Sequence, residues 1–434
     1  MFTTHKIQGA GGAGGADSYW LTTVAKAGVS VVPQGMGPDS NNNIYAHGNW
    51  GSPNNSGFLI KFNKDGTVDW NKKLSSTGST QFRSMSYDST GSIWIGGVDS
   101  PTSSNRGLLL NYLSDGTLQS QKVYGPTGNY NYFNSMTHDS SDNIIVGGTM
   151  TRAGATGFTY SAGIVKFSSS GVIQWQKSVY DSSYNGGGIT SVDSSDNVYL
   201  TVDGNNGDKI YVVKFNSSGS TTWVRRLSMG STTISKGSAV DSLDNLYVSF
   251  TTSSFGTGTI ACVAKLNSAG TVQWCRSLGS YEEGLYSDSL LVDSNDDVYL
   301  TFRNDTGADP DIIIAKYNSS GSLQWQRSLR SSSDDYPQNG YTGLDQNDNP
   351  LISFYSKALS SDWSGVFAKL PPDGSGTGTY GSFTYAATSF TSTSRSISSS
   401  SHSTTIANYS NSIATLSATE SSDTFTENTY EITP

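Results

Sequence analysis

Two cysteines, Cys262 and Cys275, in a chain of 434 residues exclude a disulfide scaffold. Charged residues are scarce, at 14%, so long surface helices rich in Glu and Lys have little material. Lys and Arg number 26 against 35 Asp and Glu, a net charge of -9 that argues against a nucleic-acid or anionic-membrane partner, since both need clustered cations. No window approaches the roughly 18 apolar residues of a membrane span, so no membrane insertion is expected. Met1 to Ala10 has no apolar core behind a basic start, so no secretory signal is expected either. The four histidines, His5, His47, His138 and His402, show no metal-ligand spacing. Neither a metal nor a cofactor is expected.

What abounds is small and polar: 119 Ser and Thr and 48 Gly, an all-β composition. The chain aligns on itself with a period of about 50 residues, in the range of propeller blades. Three markers keep that period. An Asp-containing turn, often close to D-S-x-D-N, recurs at Asp39, Asp88, Asp139, Asp193, Asp241, Asp293 and Asp345. An apolar strand then leads into turns that end at Gly66, Gly116, Gly171, Gly219, Gly270, Gly321 and Gly374. Four residues after the glycine stands a tryptophan: Trp70, Trp175, Trp223, Trp274 and Trp325, with Ser120 in the second copy.

The seventh copy lacks its tryptophan, but Trp20 stands 50 residues before Trp70 in a segment of the same form. A ring of four-stranded blades avoids long exposed edges only if its ends are tied together. The sequence therefore predicts a seven-bladed β-propeller over 19–374, with residues 19–24 closing the last blade. The tryptophans are expected to pack on the adjoining blade with the indole N–H on a backbone acceptor. The glycine supplies the positive φ of a bulged hairpin, and the Asp accepts backbone N–H groups. As a calcium loop the motif lacks the Gly and terminal Glu of an EF-hand. Counting through the bulged turn at Gly270 sets Cys262 opposite Arg276 and Cys275 on the other face, which predicts two free thiols.

The turns joining first to second and third to fourth strands are short and nearly uniform; the loops of the opposite face vary and carry the aromatics. That locates the binding face. Its candidates are Trp50, Tyr130, Tyr132, Phe133, Tyr184, Tyr281, Tyr286, Tyr336, Tyr341 and Trp363, set among Asn, Ser and Gly as suits sugar stacking or a protein interface. His138 and the Glu282–Glu283 pair have no partners in the sequence that make an acid–base site, so no catalytic residue is assigned.

The segments Asp193 to Thr201 and Tyr211 to Trp223 resemble the bacterial repeats D-S-x-G-N-x-Y-x-T-G and x-V-x-K-[FY]-[ND]-x-x-G-x-x-x-W of seven-bladed propellers, over about 19–374. With a Gly-rich start (Gly9 to Gly15, within an arm of residues 1–18) and a Ser/Thr-rich extension over 375–434, the chain is similar to virion structural proteins of marine tailed bacteriophages, cyanophages in particular. The G-x-x-x-W pattern is also that of quinoprotein dehydrogenases, but their adjacent Cys pair is absent. The phage resemblance implies a non-enzymatic scaffold or host-contact protein of the tail, in a symmetric assembly, with the arms docked on other virion proteins and the loop face on a host glycan or receptor. Alternatives are an exported glycan-binding adhesin and a propeller lyase using His138 or Glu282. By composition, either arm alone is expected to be disordered.

Overall fold

The computed structural model describes residues 18–432 except 52–55, 77, 102–104, 126–129, 152–159, 181–186, 205–206, 254–258, 280–289, 305–309, 338–342, 402–404, 409–412, 416–418 and 422–425; from 402 onward only the backbone is described. The Gly-rich arm therefore lies outside the described residues.

The architecture is a seven-bladed propeller of antiparallel sheets. Strand β1 (Tyr19–Ala25) comes first. Blade 1 is β2 (Val31–Pro38), β3 (Ile44–Trp50), β4 (Ser56–Phe62) and β5 (Val68–Ser75). Blade 2 is β6 (Ser79–Tyr87), β7 (Ile93–Ser100), β8 (Arg106–Tyr112) and β9 (Leu118–Tyr124), and blade 3 is β10 (Tyr132–His138), β11 (Ile144–Thr151), β12 (Tyr160–Phe167) and β13 (Ile173–Tyr180). Blade 4 is β14 (Ile189–Val192), β15 (Val198–Asp203), β16 (Ile210–Phe215) and β17 (Thr221–Ser228). Blade 5 is β18 (Thr233–Val240), β19 (Leu246–Thr252), β20 (Ile260–Leu266) and β21 (Val272–Leu278), and blade 6 is β22 (Leu290–Val292), β23 (Val298–Asn304), β24 (Asp311–Tyr317) and β25 (Leu323–Arg330). Blade 7 has a split inner strand, β26 (Asp335–Tyr336) and β27 (Gly343–Leu344), then β28 (Pro350–Ser356) and β29 (Ser364–Lys369). Its fourth strand is β1, with Trp20 opposite Lys369 and Val24 opposite Gly365, so the ring closes as the displaced tryptophan implies.

The C-terminal extension does not stand alone. It runs back round the rim and adds a fifth strand to every blade in reverse order. β30 (Gly378–Tyr380) pairs with β31 (Phe383–Ala387), which lies on β25 of blade 6. β32 (Ser392–Ser394) pairs with β21, β33 (Ser398–Ser401) with β17, and β34 (Thr405–Asn408) with β13. β35 (Ile413–Thr415) pairs with β9 and β36 (Thr419–Ser421) with β5. Last, β37 (Thr426–Ile432) pairs with β1. A Ser/Thr-rich segment cannot build a core of its own, yet it needs only backbone groups to cap seven exposed strand edges.

Repeated contacts join the blades. Each indole covers the turn glycine of the next blade: Trp175 lies on Gly219, Trp274 on Gly321 and Trp325 on Gly374. The indole N–H of Trp175, Trp223, Trp274 and Trp325 donates to the carbonyls of Ser217, Ser268, Ser319 and Pro372. Where Ser120 replaces the tryptophan, Lys122 covers Gly171 and donates to Ser170 O at 2.8 Å. The Asp turn does two jobs. Its first carboxylate gathers backbone N–H groups, as Asp193 does from Ser195 and Asn197, and takes a buried ammonium from the third strand: Lys166–Asp139, Lys214–Asp193, Lys265–Asp241, Lys316–Asp293 and Lys369–Asp345 at 2.6–2.9 Å. Its last Asp, at φ near 60°, accepts from the serine of the preceding blade, as Asp196 does from Ser140 N and Oγ at 2.8 and 2.7 Å.

The cysteine register is corrected. The bulge between Lys265 and Leu266 shifts the pairing by one residue, so Cys262 faces Ser277 and Cys275 faces Ala264. Both thiols are free, as expected, but they share one core cluster instead of lying on opposite faces.

Candidate functional site

The inner strands carry one feature that sequence reasoning missed. The register shifts by a residue between Pro33 and Gly35, Phe82 and Ser84, Phe133 and Ser135, and Ser235 and Gly237. Gln34, Arg83, Asn134 and Lys236 are thus extra residues at bulges, each five positions before its blade's turn Asp. A bulge breaks the ladder and re-aims a side chain. A signal was present: this position holds Gln, Arg, Asn and Lys in the four copies, each followed by a small Gly or Ser.

In blades 2 and 3 the bulge residues meet. Arg83 donates from Nη1 to Asn134 Oδ1 at 3.1 Å and from Nη2 to Gln81 Oε1 at 3.0 Å, and its guanidinium lies 4.8 Å over the ring of Tyr132. The Tyr132 hydroxyl in turn accepts from Asn105 Nδ2. Arg83, Tyr130, Tyr132, Asn134, Thr149 and Tyr160 line a cleft of about 430 Å³ on the variable-loop face. Tyr130 and Tyr160 meet edge to face at 5.6 Å. Behind the cleft, Asn49 of blade 1 holds the bulge, accepting from Phe82 N at 2.9 Å, and His47 is fully buried.

The electrostatics of the cleft are one-sided. Burial pulls Arg83 below its ordinary value, an effect the Tyr132 phenol opposes. Among the described residues its partners are amides and an aromatic ring, with no carboxylate. A half-buried guanidinium with neutral neighbours presents its positive charge and planar donor fork to whatever enters.

The other candidates divide. Tyr130 and Tyr132 line the cleft. Phe133 does not: it is fully buried against Tyr124 and Phe167, because its side chain falls on the inward face of β10. Trp50 is also core, 2% exposed and packed on Phe58 at 5.1 Å. Tyr336 and Trp363 form a separate aromatic group with Tyr355, with ring centroids 4.8–5.6 Å apart, flanked by Arg303 over Tyr336 and Lys357 over Trp363. Tyr184, Tyr281, Tyr286, Tyr341 and the Glu282–Glu283 pair lie outside the described residues. The blade markers Trp20, Trp70, Trp175, Trp223, Trp274 and Trp325 all stand at blade junctions. His138 is mostly buried beside Trp94, and burial pushes it down to about 4; among the described residues it is not part of the cleft.

No family model matches the chain, and no curated protein does. Solved structures share its fold. A protein of unknown function from Dyadobacter fermentans is 12% identical with a TM-score of 0.46, over 80% of this chain and 99% of that one. An oligogalacturonate lyase in complex with manganese is 10% identical with a TM-score of 0.49, over 79% and 90%. The polysaccharide lyase Uly1 is 7% identical with a TM-score of 0.47, over 78% and 90%. The likeness is one of fold, and it carries no link to a phage particle. The expectation of a non-enzymatic chain is corrected by these neighbours, two of which are lyases.

Proposed function

We propose that the propeller binds an acidic polysaccharide, with the cleft between blades 2 and 3 as the site that takes one uronate or sulfated sugar. The observation that carries this reading is Arg83, a guanidinium with neutral partners at a cleft bordered by three tyrosines. Aromatic faces suit the apolar side of a pyranose, and the amides of Asn134 and Gln81 hold the fork in place for a carboxylate or sulfate. Isothermal titration of the full chain with oligogalacturonate and with a neutral cello-oligosaccharide tests it. The acidic ligand binds and the neutral one does not, and Arg83→Gln weakens binding on the order of tenfold to a hundredfold, the worth of a charge-assisted hydrogen bond. Equal binding by wild type and R83Q defeats the reading.

The same residue set favours a second reading, cleavage of that polysaccharide by β-elimination. Elimination needs the carboxylate neutralised, a group that removes the proton beside it and a group that protonates the leaving oxygen. Arg83 with Asn134 suits the first role, and the phenols of Tyr130 and Tyr160 suit the others. Ultraviolet absorbance from unsaturated uronyl ends on incubation with polygalacturonate, lost in Tyr130→Phe or Tyr160→Phe, is the expected result. No absorbance at any enzyme concentration leaves binding alone.

A further inference from the structure

Resting on the acidic-ligand reading, we infer that Lys236 is a second anionic subsite, across the central axis from Arg83, so that the ligand is a polymer with repeated acidic groups. Lys236 is to blade 5 what Arg83 is to blade 2: the extra residue of the inner-strand bulge, five positions before the turn Asp. Blades 2 and 5 have blades 3 and 4 between them on one side of the ring and 6, 7 and 1 on the other, so the two cations stand on opposed inner strands.

The bulge at Lys236 is braced as the one at Arg83 is. Asp203, at the end of the second strand of blade 4, accepts from Ser235 N at 2.7 Å and Ser235 Oγ at 2.6 Å, the place that Asn49 fills toward Phe82. That engagement uses the carboxylate of Asp203, which acts on Lys236 through its charge without an ion pair among the described residues. Burial lowers the Lys236 proton affinity, with Asp203 opposing, and burial raises the Asp203 carboxyl. Among the described residues the half-buried Lys236 ammonium has no hydrogen bond or ion pair, and a cation so placed in an inner strand is stabilised by an anion that reaches it. Of the remaining bulge positions with described side chains, Gln34 is buried, and Asn134, a half-buried neutral amide in blade 3, fits a sugar hydroxyl between two charged stations.

The test uses the full chain and galacturonate oligomers of increasing length, with binding followed by titration calorimetry. Wild-type affinity rises with length. Lys236→Gln removes that rise, about tenfold for the long oligomers, and leaves the monomer unchanged; Lys236→Arg retains it. Arg83→Gln weakens every length. If K236Q matches wild type at all lengths while R83Q loses binding, the second subsite is wrong and the acidic cleft stands. If K236Q weakens the monomer as much as the long oligomers, Lys236 acts on the first site and the inference also fails. If R83Q binds normally, it is the cleft reading that falls. Thermal melts of K236Q and K236R exclude unfolding as the cause.

Discussion

The indole of Trp20 lies against Gly66, so closely that a Cβ on the glycine would stand 2.5 Å from the ring. Gly66 also has φ of 83°, in the left-handed region. Gly66→Ala therefore meets both a backbone penalty and an aromatic ring in its way, and should cost about 2–4 kcal/mol. Gly28, at φ of 74° with nothing within 4 Å, carries the backbone penalty alone. Chemical denaturation of the two variants should rank G66A well below G28A, and equal midpoints would mean that the ring yields.

Ring closure is doubled. Leu21 pairs with Ala368 on one side and Tyr430 on the other, so β1 is no longer an edge. Deleting residues 1–25 removes Trp20 and the closing strand, and should cost on the order of 3 kcal/mol or more. Deleting 1–16 should leave the melting temperature unchanged. Deleting 422–434 exposes β1 as an edge, and should give an intermediate loss with faster proteolysis near residue 25. Three equal melts would refute closure by β1.

Much of this was legible in the sequence. The period of the Asp, Gly and Trp markers gave blade number, and the displaced Trp20 gave closure, because both are set by local turn chemistry and apolar patterning. The rim belt was not legible. Residues such as Ser398–Ser401 carry no apolar pattern, and what docks them is the backbone edge of β17. Arg83 was missed because its importance comes from a bulge that brings it to Asn134, 51 residues away. The lysines of the buried ion pairs stood in plain view in each repeat, as in Lys214, but only the fold shows that they return to Asp193.

Stability should depend on pH through groups of opposite sign. Burial holds His47 down to about 3 and His138 to about 4, against an ordinary 6.5. Their neutral forms stabilise the fold fully above pH 6.5, and that contribution is lost as pH falls toward 3. Asp335, fully buried, is pushed up to about 6 against 3.8, with its bonds to Ser356 and Ser331 opposing. Its contribution is complete below pH 3.8 and is lost as pH rises through 6. Asp335→Asn should thus raise stability at pH 7 by about 3 kcal/mol relative to wild type and leave it unchanged near pH 3.5, provided the Ser331 bonds are kept. Melts across pH 3.5–8 decide this, and a variant less stable than wild type at pH 7 would mean that the carboxylate is charged and satisfied.

Adjacent residues Tyr132 and Phe133 should separate binding from stability. Phe133 is enclosed by Tyr124 and Phe167, with Gly107 tight against its ring, so Phe133→Ser opens a core cavity and should cost about 3–5 kcal/mol. Tyr132 is partly exposed and its ring carries Arg83, so Tyr132→Ala should lower the melting temperature little while weakening acidic-oligosaccharide binding about tenfold or more. Substituting the turn residues Ser217 and Ser218 on the opposite face should change binding in neither direction. Paired melts and titrations of the three variants check the assignment. A Y132A protein that binds normally, beside a turn-face variant that does not, would move the binding surface to the regular face of the ring.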